Sequence, residues 1–212
     1  WAGVDTETGS PLWFTTNEQG ERVTTSSYGE ASKNQVVLGK QTPDFYGGFS
    51  TDVSWKNFDL SAVFGYSVGG KIFNYDRSMY DSDGAYVNYN QMNLKKGWNR
   101  WEKPGDIATH PKAEYGNKSQ SSKGSSRYLE DASYLRLRSL TLGYTLPWKI
   151  QYVDNIRLSF SGENLFVLSG FSGVDPELPA EVGNKYKAGS VGVAISPYPQ
   201  ARKFMFGLNV TF

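Results

Sequence analysis

Few residues in this chain are equipped for chemistry, and their spacing decides what kind. Asp81-Ser82-Asp83-Gly84 places two carboxylates at the spacing that opens a calcium-binding loop. The later glycine and the closing glutamate of such a loop are absent, so the expectation is a solvated turn and no metal. Glu130-Asp131 is a second acidic pair. Adjacent residues at a strand entrance point in different directions, which suits loop positioning or a partner contact rather than paired acid–base work. His110 is the only histidine and there is no cysteine, which excludes a two-histidine metal site, a thiol nucleophile and a zinc–thiolate cluster. Gly39-Lys40 lacks the first glycine of a phosphate loop, because Asn34 stands there. The triplets Asn117-Lys118-Ser119 and Asn209-Val210-Thr211 fit a glycosylation acceptor, a three-residue pattern that carries no function by itself. These residues form no catalytic constellation and no cofactor motif, and a non-enzyme is expected. The remaining chemistry is that of rings. Tyr75, Tyr80, Tyr86, Tyr89, Trp98 and Trp101 crowd one stretch, with Asn and Asp between them. Aromatic faces beside amides and carboxylates suit sugar rings, so Trp98, Trp101, Tyr86 and Tyr89 are candidate ligand or partner contacts. The competing expectation is that the same rings fold the loop.

Composition narrows the class of protein that presents these groups. Lys and Arg number 22 against 21 Asp and Glu, a net charge of +1 that gives no nucleic-acid signature. Aromatic residues make up 15% of the chain while mean hydropathy is −0.52. No stretch reaches 18 apolar residues and no leader pattern stands at Trp1, so neither a membrane helix nor a signal peptide is expected. A transmembrane β-barrel passes such a test unseen, because its lipid-facing residues are spread in alternation.

Alternation is the dominant pattern of the chain. Phe204, Phe206, Leu208, Val210 and Phe212 fall at strict period two, separated by Met205, Gly207, Asn209 and Thr211. On a strand that is one apolar and one small or polar face. Such a run is long enough to cross a tilted hydrocarbon layer, which takes about 9–11 residues. Phe49, Val53 and Trp55 share a face in a run from 45 to 56. Lys56-Asn57 then leads tightly into 58–68, where Phe58, Leu60, Ala62, Phe64 and Tyr66 alternate with polar or small residues, the pattern of a hairpin. A third run, 134–146, carries Leu140, Leu142 and Tyr144 on one face, but Leu135 and Leu137 are out of phase with them. A bulge, or a strand end rising above a membrane, accounts for that switch. A fourth run spans 155–167 and the terminal one 202–212.

Connections are short at one end of these runs and long at the other, where loops 69–133 and 168–201 lie. Outer-membrane barrels have short periplasmic turns and long extracellular loops, so the C-terminus is expected at the periplasmic rim. Residues 1–44 read as an extracellular segment leading into the wall formed by 45–212. Five strands cannot close a membrane barrel, so a piece of a larger barrel is expected. A soluble or surface β-sandwich that binds carbohydrate through aromatic loops is the alternative.

Several longer motifs point one way. Gly69-Gly70-Lys71-Ile72-Phe73-Asn74, Trp98-Asn99-Arg100-Trp101-Glu102-Lys103-Pro104-Gly105-Asp106, and Ser125-Ser126-Arg127-Tyr128-Leu129-Glu130-Asp131-Ala132-Ser133-Tyr134-Leu135-Arg136-Leu137-Arg138 occur in this order. Ser161-Gly162-Glu163-Asn164-Leu165-Phe166 and Ser172-Gly173-Val174-Asp175-Pro176-Glu177 follow, then the aromatic terminal strand. Together they resemble the late barrel of SusC/RagA-like TonB-dependent outer-membrane transporters, over nearly the whole chain. The resemblance implies an all-β fold: the C-terminal antiparallel strands of a transmembrane barrel of about 22 strands, with long extracellular loops. It implies import of oligosaccharides or peptides across the outer membrane with a SusD-like surface lipoprotein as lid, driven by TonB through an N-terminal part that this sequence lacks. It also implies that Phe204, Phe206, Leu208, Val210 and Phe212 form the signal read by the barrel-assembly machinery, where strand addition at an exposed edge adds a physical rationale. The other partners are outer-membrane lipid and the substrate, with no nucleic acid and no cofactor.

Overall fold

The computed structural model describes residues 1–148, 151–177, 193–194 and 199–212. Most of the long connection between the last two wall strands therefore lies outside the described residues. In chain order the strands are β1 (Gly3–Val4), β2 (Pro11–Thr16), β3 (Arg22–Thr25), β4 (Phe45–Trp55), β5 (Phe58–Val68), β6 (Lys71–Asn74), β7 (Leu129–Asp131), β8 (Tyr134–Thr145), β9 (Asn155–Ser169), β10 (Val193–Ala194) and β11 (Lys203–Thr211). The described residues also form two short α-helices, α1 (Tyr28–Ala31) and α2 (Tyr75–Tyr80), and three single-turn 3-10 helices at Ser32–Asn34, Tyr115–Asn117 and Ser126–Tyr128. The chain divides into two compact units, one made of Trp1–Gly39, Phe73–Glu130 and Val182–Ser196, the other of Lys40–Ile72, Asp131–Glu181 and Pro197–Phe212.

The second unit is an antiparallel five-stranded sheet of order β11-β9-β8-β5-β4. Its strands run 11, 11, 12, 15 and 9 residues in chain order, the length that crosses a hydrocarbon layer. Register puts the alternating residues of all five strands in common rows. Leu60 pairs with Val53 and Leu142, Leu142 with Phe160, and Phe160 with Phe206, so one face is apolar across the whole sheet. Ser61, Thr141 and Ser161 form one row of the opposite face, and Thr141 Oγ1 lies 3.1 Å from Ser161 Oγ. The apolar face is open: Phe206 is 84% exposed and Phe49, Val53, Phe58, Leu142 and Leu158 are exposed beside it. A sandwich covers the inner faces of both its sheets, so the β-sandwich expectation does not describe this sheet.

The phase switch in β8 is a bulge. Phe64 pairs with Leu137 while its neighbour Val63 pairs with Ser139, which leaves Arg138 as the extra residue. Arg138 and Ser139 therefore both serve the polar face, and the leucines on either side keep to the apolar one. Strand β9 answers with its own irregularity. Leu137 pairs with Phe166 and Ser139 with Glu163, and Asn164 between them has a φ of 54°. Glycine matters most at Gly143. Asp59, Gly143 and Ser159 share a row of the polar face, and a side chain at Gly143 would sit 2.5 Å from Asp59 Oδ2. The bare backbone lets Arg157 of β9 reach over β8 to Asp59 of β5, where Nη2 donates to Oδ2 at 2.5 Å.

In the first unit β1, β2 and β3 form an antiparallel sheet, with Trp13 buried and edge-on to Trp1 and Tyr28. Its strands are too short for their alternation to stand out in the sequence.

Candidate functional site

Helix α2 begins the most heavily built part of the first unit. Asn74 caps it, its side chain accepting from Arg77 N at 3.0 Å, and Asp81 ends it. The short helix carries Arg77, whose side chain is 12% exposed, and turns the chain so that Asp81, Ser82 and Asp83 enter the interior. All three are buried, so the solvated turn expected at this motif is not what forms. The reason is charge pairing. Asp83 has a side chain 0% exposed and takes a two-pronged contact from Arg127, whose side chain is 2% exposed, plus Arg100 Nη1 at 2.6 Å. Asp81 Oδ2 accepts from Arg77 Nε at 3.3 Å and lies 2.9 Å from His110 Nε2 and 3.5 Å from Arg127 Nη2. Arg77 also donates from Nη1 to Glu130 Oε1 at 3.1 Å and to the Arg127 carbonyl at 3.0 Å. Three carboxylates thus face three guanidiniums.

Guanidinium nitrogens take both oxygens of Asp83 and Oδ2 of Asp81, while Asp81 Oδ1 is buried with no hydrogen-bond partner, and among the described residues no group of three or more His, Asp or Glu side chains is placed to hold a metal. Burial alone would raise the Asp81 carboxyl, but the His110 hydrogen bond and the charges of Arg127, His110 and Arg77 outweigh it and hold Asp81 below its ordinary value. Burial works against the charge on Arg127, and the hydrogen bond and charge of Asp83 more than restore it. Burial pushes the Tyr128 phenol upward, so it stays a donor, giving its proton to the carbonyls of Asp81 and Ser121 at 3.2 and 3.4 Å.

His110 with Asp81 and Thr109 has the outline of a hydrolytic triad, and its chemistry does not follow. Thr109 Oγ1 lies 2.8 Å from His110 Nδ1, but the same hydroxyl is placed to donate to the Asn99 carbonyl at 3.0 Å. His110 itself is buried, beneath Trp98 at 5.0 Å between ring centroids. It is a strut between α2 and the 98–110 turn. Glu130 and Asp131 diverge as adjacent strand residues should, Glu130 to Arg77 and Asp131 to Lys71 at 3.3 Å.

The four ring candidates separate into two kinds. Trp98 carries the Arg77 guanidinium over its face at 4.5 Å, in addition to its His110 contact. Trp101 donates from Nε1 to the Thr6 carbonyl at 2.8 Å, and its ring covers Gly9, where φ is +68° and any side chain would overlap the indole. Both tryptophans are therefore engaged in fixing the unit. Tyr86 and Tyr89 are 42% and 48% exposed, with ring centroids 5.8 Å apart, and Tyr80 extends the group at 6.5 Å from Tyr89. The same unit has an open cleft of about 690 Å³ lined by Trp1, Trp13, Phe14, Tyr28 and Phe73, for which the sequence carried no periodic signal.

In the sheet, Phe204, Phe206, Leu208 and Val210 of β11 lie on the apolar face opposite Gly162, Phe160, Leu158 and Ile156. Phe212 follows the strand and is exposed. The polar face is laced by ion pairs. Besides Arg157–Asp59, Arg136 is buried with Asp175 at 2.5 Å and approaches Glu177 Oε2 at 2.6 Å, and Arg138 pairs with the other oxygen of Glu177. The Arg136-Leu137-Arg138 and Asp175-Pro176-Glu177 motifs are thus one interaction read from both ends.

No family model matches the chain. TonB-dependent receptor P3 of Formosa agariphila is 32% identical over 186 residues, 86% of this chain and 18% of that protein. TonB-dependent receptor SusC of Bacteroides thetaiotaomicron is 25% identical over 185 residues, 85% of this chain and 16% of that protein. The solved RagAB peptide transporter is similar over all of this chain and 22% of its own, with a TM-score of 0.76 and 30% identity. The chain is a homologue of the SusC/RagA-like TonB-dependent transporters. It matches the C-terminal portion of their barrel, and the described residues form no closed barrel. It spans less than a fifth of the length of the receptors it matches in sequence. These relatives are named as receptors and a transporter.

Proposed function

We propose that this chain supplies five wall strands and outer loops to a TonB-dependent outer-membrane transporter that imports oligosaccharides or peptides. The observation that carries the reading is the five-stranded sheet: one open apolar face, one ion-paired polar face, and strands long enough to cross a bilayer. In this reading the apolar rows meet lipid and the polar rows line the lumen. Further strands pair with the free edges of β4 and β11, because unpaired backbone is not tolerated in hydrocarbon. Residues 1–44 and loops 69–133 and 168–201 lie outside the cell, and Phe212 lies at the periplasmic rim. Phe204, Phe206, Leu208, Val210 and Phe212 are the row presented to the assembly machinery.

A SusD-like lipoprotein closes over the outer loops, where Tyr86 and Tyr89 offer exposed rings to ligand or lid. Trp98 and Trp101 serve this surface indirectly, by holding the loop that bears it. Energy enters through TonB at a part of the transporter outside this chain. The reaction is carriage, with no covalent step.

The test is made in cells that carry the complete transporter. Its deletion should abolish growth on one substrate class, glycan or peptide, and the protein should remain in the outer-membrane fraction through a urea wash and leave it only with detergent. A monodisperse protein obtained without detergent would overturn the reading.

A further inference from the structure

We propose that a slot on the apolar face of the sheet is a glycerophospholipid site, with one acyl chain in the slot and the phosphate beside Lys56; this rests on the barrel reading above. The slot has a volume of about 500 Å³. Two aromatic pairs wall it. Phe58 and Tyr144 stand on one side with ring centroids 4.4 Å apart, and Phe160 and Phe206 on the other at 5.0 Å. Leu142 and Leu158 lie between them as its floor. The backbone beneath is fully engaged in the β5–β8–β9–β11 ladder, and the six side chains named here offer one hydroxyl, that of Tyr144. An occupant therefore gains by burying hydrocarbon and has almost nothing to hydrogen-bond.

The slot also has a chemically distinct end. Phe58 begins β5 directly after the hairpin tip, where Lys56 takes a φ of 55° and holds its ammonium 4.8 Å from the centre of the Trp55 ring. Lys56 makes no ion pair with the described residues and is exposed. Trp55, Trp148 and Tyr152 are exposed at the same end of the strands, the ring types that gather at the headgroup level of a bilayer. An apolar slot leading to an unpaired cation among interfacial rings complements an amphiphile with an anionic head. A protein partner fits less well, since stable association needs on the order of 800 Å² from each side and this is a single walled slot.

The test uses the complete transporter extracted in mild detergent, with bound phospholipid counted by native mass spectrometry. Leu142→Trp fills the slot and should remove one retained phospholipid per barrel. Val53→Trp, on the same face of β4 outside the slot, should remove none. Lys56→Glu should leave neutral detergent in the slot but lower retention of anionic phospholipid at least tenfold. Leu158→Phe, a milder filling from the floor, repeats the test if Leu142→Trp does not assemble. Equal lipid counts in wild type and slot variants, or equal loss in Val53→Trp, would overturn the site. Loss of a dimer rather than of lipid would assign the slot to a second copy. Failure of the barrel reading shows separately, as a protein that needs no detergent.

Discussion

Replacing Asp83 with alanine should open the outer-loop unit and leave the wall strands intact. The magnitude follows from what the carboxylate holds. Asp83 is fully buried, it is the two-pronged partner of Arg127, and it also receives Arg100. Removing one member of a buried ion pair costs about 3–5 kcal/mol, because the surviving charge stays out of water without a partner. Two features push the value toward the lower end. Arg100 is partly exposed and regains water, and Arg127 keeps Asp81 at 3.5 Å. A loss of about 3 kcal/mol corresponds to roughly a hundredfold change in the opening equilibrium, at 1.4 kcal/mol per tenfold. Hydrogen–deuterium exchange on the complete transporter reads this directly. Amides tied to the cluster, such as Glu114 N on the Asp83 carbonyl and Tyr128 N on Ser125, should lose about two orders of magnitude of protection. Amides of the β8–β9 ladder should keep theirs. Asp83→Asn retains some hydrogen bonding and should fall between. Unchanged protection across 75–131 in the alanine variant would refute the view that this cluster holds the unit together.

Four further outcomes are expected. Asp81 is held below its ordinary carboxylate value of 3.8 in the fold, so its contribution is present above that pH and lost as pH falls through the lower, folded value. Exchange at 75–131 should therefore rise only below about pH 4, and Asp81→Asn should remove that dependence; a transition between pH 6 and 8 would contradict the assignment. Gly143→Val places a side chain against Arg157 and Asp59 and should lower the temperature at which the barrel loses its compact gel mobility, whereas Gly170→Ala, with open space around it, should not. Trp101→Ala should expose the 5–9 turn to protease and spare ligand capture, while Tyr86→Ala with Tyr89→Ala should weaken ligand or lid binding without loosening the unit. Truncation of Phe212 should lower the amount of transporter assembled in the outer membrane, and normal assembly would remove the signal role from this row.

The wall was legible because a sheet with one apolar face writes period two into every strand. Even the exception was visible, as Leu135 and Leu137 out of step with Leu140, though only the register of β8 against β5 identifies Arg138 as the extra residue. The ionic cluster was hidden for the opposite reason. Asp81, Asp83, Arg100, His110 and Arg127 come from non-periodic loop sequence, and each charge alone reads as a solvated one. Arg127 pairs with Asp83 across 44 positions, and no local pattern specifies that. The rings of the long loop show a related limit. Composition places Trp98 and Trp101 beside Tyr86 and Tyr89, but the contacts of Trp101 with Gly9 and Thr6 depend on a turn nearly a hundred residues earlier. A glycine such as Gly143 looks like a gap in the strand pattern until the diagonal reach of Arg157 to Asp59 gives it a purpose.

In the proposed barrel, alternate residues of this sheet face lipid and lumen. Single cysteines at positions 204 through 211 of the complete transporter, with any cysteine elsewhere replaced, can carry a spin label in bilayers. The deciding measurement is the accessibility of each label to dissolved oxygen against a water-soluble nickel chelate. Labels at Phe204, Phe206, Leu208 and Val210 should favour oxygen and those at Met205, Gly207, Asn209 and Thr211 should favour the chelate, in strict alternation. Uniform access to the chelate at all eight positions would show that this sheet does not stand between lipid and lumen.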